Sequence, residues 1–214
     1  DAMQLAERLK FTDEARFIYQ ASQADLQSAA EFRNSCRGLE QENIVLGCYT
    51  RQRIYIYNVK EEQLEGVREV TAAHELLHAV YERLSNNERT EINRLLATQA
   101  KQINDQRIKN TLSLYKNATT ADYYNEMYAI FGTELSDLSD ELEKHYKNYF
   151  KERALIVAYA KNYQKTFEKL EAQRKAFDAQ LSELKSNIDK LQLEVKRAQA
   201  GLEAKRNELD GYRR

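Results

Sequence analysis

The chain has 214 residues, no proline and six glycines, where an average chain of this length carries roughly 11 prolines and 15 glycines. With 42% apolar residues, 31% charged residues and a net charge of −1, it suits long helices around one modest core, which excludes a loop-rich β-sandwich, a collagen-like chain and a wholly disordered one. Residues 156–214 hold 13 Lys/Arg and 9 Asp/Glu and the remainder 20 and 25, so neither part has the basic bias of a nucleic-acid binder.

Thr12 followed by Asp13 and Glu14 predicts a helix to about Gln20. A second, opened by Ser22 or Asp25, is expected to reach about Cys36 and to stop at Gly38. Ile44–Tyr49 and Arg53–Val59 then flank a polar turn at Thr50–Gln52, and Ile54 and Ile56 alternate with Tyr55 and Tyr57, so a β-hairpin is expected. From about Glu65 to Leu84 runs a long helix. Between Val70 and Tyr81 its only ionisable groups, Tyr81 apart, are His74, Glu75 and His78, and a helix apolar nearly all round is a buried one. Further helices are expected from Ser85-Asn86-Asn87 to about Ile103, from Asp105 to Tyr115, and from a Thr120 cap through Phe131, with Gly132 in it or near its end. Ser139 opens the last and longest helix. The longest strongly apolar run, Leu155–Ala160, is too short to cross a bilayer.

That final helix changes character near residue 160. Heptad a positions fall on Phe167, Arg174, Leu181, Ile188, Val195, Leu202 and Leu209, and d positions on Tyr163, Leu170, Phe177, Leu184, Leu191, Ala198 and Lys205. Only Arg174 and Lys205 break the apolar stripe, which is the pattern of a coiled coil. The alternative is a lone helix packed on the domain. No other heptad stripe of this length exists in the chain, so the expected partner is another chain, a homodimer being one form.

Cys36 and Cys48 form no CxxC, which excludes a zinc ribbon or a thioredoxin-like site. They read either as separate buried thiols or as a disulfide tying the hairpin to the preceding helix. A disulfide implies an oxidising compartment and an extracytoplasmic or cell-surface location, with any membrane attachment through an anchor outside this fragment. Separate thiols suit the cytoplasm. Asn117-Ala118-Thr119 matches a glycosylation sequon, and nothing else in the sequence supports its use.

His74-Glu75-Leu76-Leu77-His78 is an HExxH. Residues i and i+4 share a helix face, so both imidazoles can address one ion with Glu75 beside them. Burying two imidazoles and a carboxylate without partners would cost several kcal/mol, and metal ligation removes that cost most directly. The stretch Thr71-Ala72-Ala73-His74-Glu75-Leu76-Leu77-His78-Ala79-Val80 resembles the extended helix of the zinc peptidases. The glycine-spaced third histidine of the metzincins is missing, since no His follows until His145. The resemblance is therefore to the gluzincins, in which a Glu on a second helix completes the site. Asn125-Glu126-Met127-Tyr128-Ala129 resembles the gluzincin N-E-x-x-A/S element. Glu134 is the rival ligand, or a group that orients a ligand histidine from behind. Two features depart from the pattern: the separation of His78 and Glu126 is 48 residues, longer than in compact gluzincins, and Ile130 stands where an Asp often follows.

The resemblance implies a mainly α, zincin-like metallopeptidase domain over residues 1–155 with a small β-hairpin, followed by a coiled-coil helix over 156–214. One Zn²⁺ would sit on His74, His78 and Glu126, with Glu75 as general base, and the activity would be hydrolysis of peptide bonds in a protein or peptide substrate. The tetrahedral oxyanion needs a donor, sought among Tyr123, Tyr124, His145 and Tyr146, with His145 put forward. The strand Arg53, Ile54, Tyr55, Ile56, Tyr57 precedes the zinc helix and is expected to offer an edge to an extended substrate, unless the hairpin only covers the core. A different class is a non-catalytic zinc-binding scaffold whose coiled coil mediates protein–protein interaction. A third is a structural coiled-coil protein carrying the motif by chance.

Overall fold

The computed structural model describes residues 1–37 and 46–212, so the expectations for Gly38, Ile44 and Val45 lie outside the described residues. Side chains that can accept the first free N–H groups open most of its helices. Asp1 caps α1 (Ala2–Arg8), an amphipathic helix of about two turns that the sequence alone does not announce. Thr12 caps α2 (Asp13–Ala21). The next element is not the start of a helix. Gln23 takes a left-handed backbone (φ 45°), which stops helical propagation, and Asp25–Gln27 form strand β1. Helix α3 (Ala29–Ser35) begins only after Ser28, whose N–H and hydroxyl both donate to the Glu31 carboxylate (2.9 and 2.6 Å).

Strands β2 (Gly47–Thr50) and β3 (Arg53–Tyr57) pair antiparallel, with Tyr49 opposite Ile54 and Gly47 opposite Ile56. Their two-residue connection places Arg51 and Gln52 at φ 50° and 60°, as the tight turn of a twisted hairpin requires. β1 joins the other side of β3 in parallel, giving the order β1-β3-β2. Ile54 and Ile56 are fully buried on the face that packs against the next helix. Tyr55 and Tyr57 point to the opposite face, where Phe32 and a Cys36–Cys48 disulfide form a second small cluster.

Helix α4 (Val67–Arg83) is the central element of the core and carries the HExxH segment. It is followed by α5 (Asn86–Ala100), capped by Ser85, and by α6 (Gln106–Leu114), capped by Asp105. In α7 (Thr120–Glu134) the cap is Thr119, one residue earlier than expected, because its hydroxyl accepts from the Asp122 N–H. α4 and α7 pack face to face. Gly132 makes the approach feasible: a Cβ there would collide with Leu77 and lie 2.7 Å from Tyr146 Cε1.

The last helix is also shorter than Ser139 would make it. Ser139 caps α8 (Asp140–Tyr146), and α9 runs from Arg153 to Tyr212. Between them the backbone leaves the helical path to bridge the N-terminal segment: Thr12 N–H donates to Tyr149 O, Lys151 N–H donates to Lys10 O, and Phe11 and Phe150 pack together in the core. The described residues are thus mostly helical with one three-stranded sheet, an α+β arrangement. It divides into two compact units, Asp1–Thr166 and Phe167–Arg214. The first extends beyond residue 155, where the sequence placed the boundary, because Ile156, Val157 and Ala160 are buried and Tyr159 and Tyr163 pack on the same core. In the second unit the helix keeps large apolar side chains exposed. Among the described residues no helix is long and apolar enough to cross a membrane.

Candidate metal centre

Two packed helices supply the centre. His74, Glu75 and His78 stand on α4, and Asn125 and Glu126 on the facing side of α7. His74 Nε2 is 3.4 Å from Glu126 Oε1, His78 Nε2 is 3.6 Å from Glu126 Oε2, and the two Nε2 atoms are 3.1 Å apart. Ligands held at about 2.0–2.1 Å from one tetrahedral zinc ion lie roughly 3.3 Å from each other. The triangle therefore has the edge lengths that such an ion asks of three ligands. Among the described residues this is the one group of His, Cys, Asp and Glu side chains whose ligand atoms converge in this way.

Neighbours fix these side chains from behind. His78 Nδ1 lies 3.0 Å from Asn125 Oδ1, an acceptor, so Nδ1 carries the proton and Nε2 turns its lone pair toward the triangle. The Tyr115 hydroxyl donates to the Glu126 carboxylate. Glu75 is almost wholly buried and accepts the backbone N–H of Tyr49, on β2. Gly47 is what lets that strand come so close: a Cβ there would collide with Thr71 and lie 2.6 Å from Glu75 Oε1.

Burial and charge compete at these groups. Burial would lower His74, but the Glu126 hydrogen bond and charge, helped by Glu75 and Glu134, hold it up at about 9. Burial would raise Glu126, but the hydrogen bond and charge of His74, with His78 and Tyr115, hold it at about 2. Burial raises Glu75 to about 8, and burial together with the charge of His74 lowers His78. Metal ligation offers these buried groups the same compensation that they now find in one another.

The centre opens into a cavity of about 450 Å³ whose walls include Leu46, Val70, Tyr115, Asp122 and Tyr163. One side is β2, one of the two edge strands of the sheet among the described residues. Tyr57 N–H donates to Leu46 O, and in an antiparallel ladder bonded and non-bonded pairs alternate, so the backbone groups of Gly47 and Tyr49 point away from β3. This corrects the expectation for Arg53, Ile54, Tyr55, Ile56 and Tyr57. Strand β3 has no free edge, since β1 and β2 occupy both of its sides.

Other expected site residues fall elsewhere. Glu134 is held by Arg107 (2.6 Å) and accepts from Gln164 (3.0 Å), so it reaches the centre only as a nearby charge and neither completes the triangle nor bonds a ligand histidine. His145 does not line the cavity. Its Nε2 is hydrogen-bonded to the Tyr128 hydroxyl (2.7 Å), and its ring packs edge-on against Tyr128, Tyr146 and Tyr149. Burial pushes it down to about 4, and a neutral ring locked into an aromatic cluster is no oxyanion donor. Tyr146 is fully buried and donates to Tyr128 O (2.7 Å), while Tyr123 and Tyr124 pack on each other and on the core. The sequence reading passed over Tyr115, Tyr163 and the Asn125 side chain as groups of the site. Of these only Asn125 carried a local signal, as the neighbour of Glu126 in the N-E-x-x-A element.

No protein-family model, curated protein or solved structure matches this chain.

Proposed function

We propose that this chain is a zinc-dependent peptidase with a zincin-like catalytic domain, hydrolysing peptide bonds in a protein or peptide substrate. The observation that carries the reading is the convergence of His74, His78 and Glu126, with Glu75 beside them, in an open cleft flanked by a strand edge. The donor set, two imidazoles and one carboxylate, is that of a catalytic zinc site rather than a closed, cysteine-rich structural one. Zinc bound there would supply a Lewis acid that polarises the scissile carbonyl and makes an attacking water acidic at neutral pH.

The remaining work falls to the chain's own side chains. Glu75 would take the proton of the attacking water and return it to the leaving amine, with its carboxylate aimed by the Tyr49 N–H. Tyr115, which lines the cavity and whose hydroxyl donates to Glu126, would donate to the oxygen on which negative charge develops. Asn125 keeps His78 in the ligating tautomer. The outward backbone groups of Gly47 and the carbonyl of Tyr49, whose N–H is engaged by Glu75, would pair with an extended peptide and lay it across the centre, a role that passes from β3 to β2. The disulfide supports an oxidising, extracytoplasmic setting for this activity.

The test is cleavage of a panel of denatured proteins by the zinc-loaded chain and by Glu75→Gln, which retains the ligands. Cleavage by the former and at least a hundredfold slower cleavage by the latter is expected. Zinc binding with no Glu75-dependent cleavage would replace the enzyme by a zinc-binding scaffold.

A further inference from the structure

The second compact unit, Phe167–Arg214, is helical through its described length, to Tyr212, and nine apolar a and d side chains on it, from Leu170 to Leu209, are 44–70% exposed. One large apolar side chain of this unit, Leu193, lies off that seam. The exposed seam amounts to an area on the order of 800 Å², one partner's share of a standard stable interface. A helix that covers it must carry an apolar stripe of the same length and period. A second copy of this chain meets that requirement.

Charge then chooses the orientation. In a parallel, in-register pair the flanking g and e positions face one another five residues apart: Gln173 would face Asp178, Gln180 Lys185, and Gly201 Arg206. No oppositely charged pair forms between residues 166 and 206, and Lys205 and Arg206 of both copies gather at one end. In an antiparallel pair centred on Ile188 packing against Leu191, e faces e, so Glu171 meets Arg206 of the second copy at both ends. The same register places Leu170 against Leu209 and brings the two breaks in the stripe, Arg174 and Lys205, into one layer. Arg174 already has Asp178 on its own helix at 3.3 Å, and Glu171 and Glu208 flank that layer. The ion pair of Glu171 with Lys175 is exposed on both sides and free to exchange.

We infer that residues 170–209 form an antiparallel two-stranded coiled coil with a second copy of this chain, in the register Leu170–Leu209 and Glu171–Arg206. The experiment uses the full chain. Sedimentation at tens of micromolar should give twice the 25.1 kDa chain mass. Leu170→Cys and Leu209→Cys chains, mixed and oxidised, should cross-link to each other and hardly at all when oxidised separately. Arg206→Glu should weaken the dimer at least tenfold, and Glu171→Arg added to it should restore the dimer. A monomer, a cross-link of Leu170→Cys with itself, or a charge reversal without rescue would each overturn the inference. None of these readouts depends on peptidase activity.

Discussion

Asn125 is the neutral side chain that would control a metal ligand in the proposed centre. Its Oδ1 accepts from His78 Nδ1, and without it His78 is free to turn or to take the other tautomer. Asn125→Ala should weaken zinc binding about 10–100-fold in competition with a chelator while leaving the fold intact. Unchanged affinity would mean that α4 alone orients the ring. Tyr115→Phe tests the oxyanion donor: kcat should fall by about 10²-fold with KM nearly constant. A change confined to KM would make Tyr115 a substrate-binding group instead. His145 gives a stability readout away from the centre. Its ring is neutral in the fold, with a pKa near 4, against the ordinary 6.5 of the unfolded chain. The unfolded state therefore takes up the proton first as pH falls, and stability should be lost between pH 6.5 and 4, by about 2 kcal/mol once partial exposure is allowed for. His145→Gln, which keeps a hydrogen-bonding partner for Tyr128, should flatten that part of the curve in urea unfolding, whereas parallel curves for the two proteins would argue against the assignment.

At the scale of elements, the site depends on two close approaches. Gly132 sets the spacing of α4 and α7, and Gly47 lets β2 reach Glu75. Gly132→Ala forces Leu77 and Tyr146 apart inside a packed core and should cost about 1–3 kcal/mol in denaturant unfolding. Removing the Cys36–Cys48 bond, which closes a short loop, should cost about 3 kcal/mol by loop-closure entropy. These elements were legible in the sequence to different degrees. The buried helix and its HExxH could be read because both facts are local, set by a period of 3.6 within one segment. The three residues of β1 could not, because so short a strand shows no alternation and exists only through its pairing with β3. For the same reason the hairpin was visible but its free edge was not: which strand is central depends on where β1 docks. Tyr115 lies on no shared motif with Glu126, and the two are brought together only by the packing of the segment after α6 on α7. The break between α8 and α9 was hidden as well, since the residues that unwind it do so to meet Phe11, far away in sequence.

At the scale of the whole chain, the boundary between the two units decides what a truncation would keep. Every side chain assigned to the centre lies in Asp1–Thr166, and that unit includes the first turns of α9, with Ile156, Val157 and Ala160 in its core and Tyr163 in the wall of the cavity. A chain cut after Thr166 should still bind zinc, whereas one cut after Leu155 should unfold at lower urea or fail to fold. Equal stability of the two would place the boundary where the sequence first suggested it. The proposed coiled coil is a separate matter of association and should alter neither result.

The central claim is the metal centre, and its most direct test is the metal content of the purified chain by elemental mass spectrometry, beside His78→Ala. One zinc per chain, lost in the variant, is expected. No bound metal after zinc reconstitution of a folded wild-type chain would contradict it and leave the two histidines and Glu126 as a buried hydrogen-bonded cluster.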